Sequence, residues 1–103
     1  MKKIERLSNH IEKEIENAME YARCAVNEKP DNPNIADVYY KIAENKLNDM
    51  MLLHNQVAAE IQEYRKLNGD PPEAMQILYN ILHKKHIENA AKVRAMLALY
   101  KEP

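Results

Sequence analysis

Only two stretches of this 103-residue chain are rich in residues that interrupt a helix. The first is Lys29-Pro30-Asp31-Asn32-Pro33-Asn34 and the second is Asn68-Gly69-Asp70-Pro71-Pro72-Glu73. Everything else is dominated by Ala, Leu, Glu, Lys, Met and Ile, which favour helix. Two breaks divide the chain into three helices, expected over about 4–28, 34–67 and 71–100. At a rise of about 1.5 Å per residue, the second would be about 50 Å long and the third about 45 Å.

The second break carries the denser local signal. Gly69 suits the left-handed residue that follows a helix C-terminus. Asp70 suits an N-cap, Pro71 the first helical position, and Glu73 the capping-box position three residues after Asp70. At the first break Asn32 or Asn34 suits the cap, with Pro33 near the start. Connections this short make the flanking helices antiparallel neighbours.

Each helix has an apolar face. In the first, Ile4, Leu7, Ile11, Ile15, Ala18, Ala22 and Ala25 recur in steps of three and four and form a narrow stripe. In the second, Ile35, Val38, Tyr39, Ile42, Ala43, Leu47, Met50, Leu53, Val57, Ile61 and Tyr64 make a wider band. In the third, a band running from Met75 through Leu82, His86 and Val93 to Tyr100 is widened by Ile77, Ile81, Ala91, Ala95 and Leu99. Arcs this wide exceed what one neighbouring helix covers. They predict a homodimer with twofold symmetry, the plain alternative being a monomer with apolar side chains in water.

Composition narrows the function. Fifteen Lys and Arg balance sixteen Asp and Glu for a net charge of −1, without the basic excess a nucleic-acid partner calls for. A single glycine and the absence of Phe and Trp speak against phosphate loops and base-stacking platforms. Cys24 is the one cysteine, so neither an intramolecular disulfide nor a thiolate zinc site is open to it. No apolar run approaches the ~20 residues that span a bilayer. The Lys2-Lys3 start has no apolar segment behind it, so no signal peptide is expected. These readings predict a cytoplasmic protein without a nucleic-acid or membrane partner.

Four polar features merit weighing as chemistry. Glu14 flanks the first stripe, where an inward carboxylate must be paired, metal-bound or able to reach water. Lys46 and Asp49 share the inner band of the second helix; the lysine either neutralises a carboxylate or snorkels outward. His83 and His86 are spaced to bind a transition metal, or else His83 joins Lys84 and Lys85 in a basic patch while His86 bonds within the core. His54 and Cys24 are expected to stand apart from this group.

Together these residues resemble the ferritin-like, rubrerythrin-like helical bundles. Glu14 through Tyr21 looks like a first-helix ligand segment, with a Tyr two turns after an inward Glu. Ala43 through Met50 looks like a Glu-x-x-His segment with both ligands replaced, by Lys46 and Asp49. His83 through Ala90 looks like a second such segment that keeps only its His. The resemblance implies a bundle holding two metals between four helices, each of two helices giving a Glu and each of the others a Glu-x-x-His. Here there are three helices, and neither Glu-x-x-His is intact. The resemblance therefore implies an all-α antiparallel bundle completed by dimerisation, with Lys46 replacing a metal charge. Its expected role is structural or interactive, with a protein partner besides itself an option, and it leans away from an enzyme and a cofactor. The alternative is a metal-binding oxidoreductase or storage protein in which Glu14, Asp49, His83 and His86 hold iron, zinc or manganese. A third reading uses the six methionines as adaptable contacts for a partner helix.

Overall fold

The buried residues of the first helix are Ile4, Ser8, Ile11, Ile15, Ala18, Ala22 and Ala25, in unbroken alternating steps of four and three. That is the heptad rhythm of helices that pack side by side over a long distance. The computed structural model describes residues 2–103 and realises it as α1 (Lys2–Glu28), α2 (Pro33–Asn68) and α3 (Glu73–Lys101). Among the described residues all regular structure is helical. The 36 residues of α2 set the long dimension, about 54 Å at 1.5 Å per residue, and the molecule is a rod of 56 × 17 × 17 Å. No helix is long and apolar enough to cross a membrane among the described residues.

The rod is built around α1. It packs closely on both α2 and α3, whereas the backbones of α2 and α3 barely approach each other, so the short second connection does not make its flanking helices the close neighbours expected. The main core joins Ile11, Ile15, Ala18 and Ala22 of α1 with Ala43, Leu47 and Met50 of α2 and Ala90, Val93 and Leu97 of α3. A smaller cluster of Ala25, Ala36 and Tyr100 closes one end. There the Tyr40 and Tyr100 rings stack 4.8 Å apart, and Tyr21 lies 6.1 Å from Tyr39.

The apolar faces lie where expected except near two helix starts. On α1, Ser8 is buried where Leu7 was expected, and Leu7 sits half-buried on the edge. On α2, Ala36 is buried while Ile35 and Val38 are exposed. Alanines at the contact line let the backbones come close, so the smaller residue turns inward and its bulkier neighbours turn out.

The turns differ too. Asn32 takes the cap position before Pro33, and its carbonyl accepts the Ala36 amide. Its side chain bonds Glu28 rather than an amide of α2. Asp70 does not cap α3. That helix starts at Glu73, with the Pro72 carbonyl accepting Met75 and Gln76, and Asp70 turns back to lie 3.6 Å from Arg65. Pro71 is buried, and its carbonyl accepts the Gln76 side chain at 2.6 Å. Two successive prolines keep the Asp70–Pro72 backbone extended, which postpones the helix by a residue or two. Gly69 has φ 77° and ψ −163°, a region open essentially to glycine alone.

Candidate functional site

Three grooves run along the rod, one between each pair of helices, and they differ in chemistry. The α1–α3 groove is lined by Glu12, Glu16, Arg23, Lys85 and Lys92 around Ile15, Met19 and Val93. Lys85 donates to Glu12 across it at 2.6 Å, which holds the Glu12 carboxyl below its ordinary range. This face suits water.

The α1–α2 groove holds the carboxylates singled out in the sequence. Glu14 and Asp49 both line it, with His10, Lys13, Leu52 and Leu53. Lys46 reaches Glu14 with Nζ 3.5 Å from Oε2, both side chains being largely covered. Glu14 Oε2 is buried and has no hydrogen bond among the described residues, so the ammonium is its compensating charge. The pair lies on the flank of the rod. At the centre, where inward ligands would meet, the packing is Ile11, Ile15, Ala18, Leu47, Met50 and Val93.

The α2–α3 groove is lined from those two helices alone and has two stretches. One stretch is walled by Tyr40, Leu47, Leu97 and Ala98, with Glu44, Asn48 and Lys101 at its margins. The adjoining stretch, of about 360 Å³, is walled by Met50, Ile87, Ala90 and three histidines: His54, His83 and His86. Met51 and Arg94 belong to both, and the Arg94 guanidinium comes within 4.0 Å of Met51 Sδ.

The histidines form a wall. On the far side, the same three border a small, partly open cavity of about 30 Å³ with Ile4, Ser8, Ile11 and Tyr79. His86 is 5% exposed. The His54 and His83 rings stack across the helices, with centroids 4.7 Å apart and planes at 23°. Burial pushes His86 below its usual value, and His54 moves the same way through burial and then the nearby His83.

His83 and His86 therefore belong to this wall, whereas Glu14 and Asp49 lie in the α1–α2 groove. The four residues expected as a ligand set do not converge. Among the described residues, no group of three or more His, Cys, Asp or Glu is arranged to hold a metal ion. Stacked imidazoles direct their in-plane lone pairs side by side rather than at a common point. Cys24 remains a free, half-buried thiol.

His54 was expected to stand apart, yet it completes the wall. The signal for it was present in the spacing: Ala43, Leu47 and Met50 continue by four and three to His54, Val57 and Ile61. Its offset from Asp49, which points to another side of α2, is what set His54 apart in the sequence.

No family model, curated protein or solved structure matches the chain.

Proposed function

We propose that this chain is a self-assembling helical module, and that a second copy covers the α2–α3 groove. The observation that carries the reading is the unequal packing. The α1 backbone packs on both other helices while those of α2 and α3 approach little, a spacing consistent with three corners of a four-helix arrangement. The fourth corner is the apolar groove. This is the arrangement the ferritin-like resemblance leads one to expect, without its metal chemistry.

A second copy fits the surface on two counts. Met51 and Ile87 are large apolar side chains exposed at the groove, as surfaces that associate commonly are. The margins carry Glu44 beside Arg94 and Lys101, so a twofold arrangement can set each sign against its opposite. A net charge of −1 adds little repulsion between copies.

Light scattering with sedimentation at micromolar concentration tests this. A mass of two chains is expected, and Met51→Glu with Ile87→Glu should return the protein to one chain with its helical content intact. A wild-type protein that stays monomeric throughout the micromolar range would defeat the proposal.

A further inference from the structure

The polar wall of the α2–α3 groove deepens that reading and rests on it. An apolar interface that includes three imidazoles has a charge state that changes near neutrality. We propose that His54, His83 and His86 make assembly through this groove sensitive to protons, so that copies associate when the three rings are neutral and separate when they are protonated.

The geometry supplies the reason. His54 comes from α2 and His83 and His86 from α3, so these rings bridge the two helices that diverge along the groove. Stacked at 4.7 Å, the half-buried His54 and the exposed His83 repel one another when both are charged. His86 lies against the same cavity and has almost no access to water.

The surroundings do not offset that charge. From α1, Glu12 is the acidic group acting on His86, and it is already engaged by Lys85. Ser8 of α1 and Tyr79 of α3 border the small cavity and carry no charge near neutral pH. The Tyr79 hydroxyl is buried without a hydrogen bond among the described residues. Arg94 and Lys85 of α3 add charge of the same sign. From α2, His54 is the titrating group at the wall, facing Met50 and Met51 on its own helix.

A second copy over the groove would remove more water from these rings and make their protonated forms still less favourable. Protons would then bind the separated form more strongly. By linkage, each proton released on association changes the dimer constant about tenfold per pH unit between the imidazole pKa in the dimer and the higher one in the separated chains.

The test is the dimer dissociation constant of the full chain at pH 7.5, 6.5 and 5.5, for the wild type and for His54→Phe with His83→Phe. Phenylalanine preserves the stacked rings and removes their protons. The wild type should weaken at least tenfold between pH 7.5 and 5.5, and the double variant should lose most of that dependence while associating normally at pH 7.5. In parallel, the ring-proton resonances of His54 and His86 in the wild type should titrate over the range in which the dimer dissociates. A dimer whose constant stays within twofold across this range overturns the proton linkage and leaves assembly standing. Equal pH dependence in wild type and variant, or ring titration well outside the dissociation range, also overturns the linkage. A monomer at every pH overturns the assembly reading and the linkage with it. Should the variant fail to fold, the wild-type constants and ring titration decide.

Discussion

The Glu14–Lys46 pair shows how one residue's neighbours set the worth of a charge. Exposed pairs contribute about 0–1 kcal/mol, while breaking a fully buried one costs about 3–5. This pair lies between, with side chains 22% and 30% exposed. Lys46→Met is expected to cost about 1–3 kcal/mol in urea denaturation, because it leaves the buried Glu14 oxygen without its cation. Adding Glu14→Gln should recover much of that loss. A loss below about 0.5 kcal/mol for Lys46→Met would mean that the amine has ample solvent at no penalty. Gly69 makes a different demand. A Cβ there would meet nothing within 4 Å, so Gly69→Ala tests the backbone alone. With φ at 77°, that change should cost about 1–3 kcal/mol, read as a lower denaturation midpoint with an unchanged slope.

At the scale of elements, α3 ends on a cap that spans the sequence. Lys29, in the turn after α1, donates to the Tyr100 carbonyl and, at 2.7 Å, to that of Glu102. It also sits 5.0 Å from the centre of the Tyr100 ring, while Lys101 lies over Tyr40. A cation at the negative end of a helix dipole that also satisfies terminal carbonyls is worth about 1–2 kcal/mol. Lys29→Met should lower stability by about that much and speed amide exchange in the last turn of α3; unchanged exchange there would exclude the cap. Local chemistry could not reveal this contact, because its partners are more than 70 residues apart. What was legible came from periodicity and breakers. Three helices follow from the two clusters around Pro30–Pro33 and Pro71–Pro72, and the inner stripe of α1 follows from its spacing. The inward turn of Ala36 at the start of α2 was hidden because Ile35 and Val38 outweigh it in any count of apolar mass. The division of Glu14 and Asp49 from His83 and His86 was hidden because spacing along one helix does not say which groove of a bundle a face meets. Asp70 failed as a cap because two prolines delayed the helix it would have served.

For the whole molecule, the histidines give stability a direction with pH. His54 and His86 are held below the usual imidazole value of 6.5 in the folded chain. The unfolded chain therefore takes up protons first as the pH falls below 6.5. Stability is complete above that pH and declines beneath it until the folded-state imidazoles have titrated. Glu12, held below 4.5 chiefly by its bond to Lys85, adds a second decline at lower pH, reduced by solvent and salt because both groups are exposed. Thermal melts should thus show a falling midpoint in two stages, and His86→Leu should flatten the upper one. A midpoint constant from pH 7.5 to 5.5 would contradict this.

The central place of α1 has a consequence for how the chain comes apart. Since α2 and α3 share so little backbone proximity, they meet chiefly through long side chains such as the stacked Tyr40–Tyr100 and His54–His83 pairs, while each packs its backbone against α1. The α1–α2 hairpin, joined by a short turn and closely packed along its length, is the unit best able to form early and persist late. The third helix then behaves as a detachable lever: loosening it exposes the hairpin's inner surface without dismantling it, whereas unravelling the first helix leaves the other two joined by a few ring stacks alone.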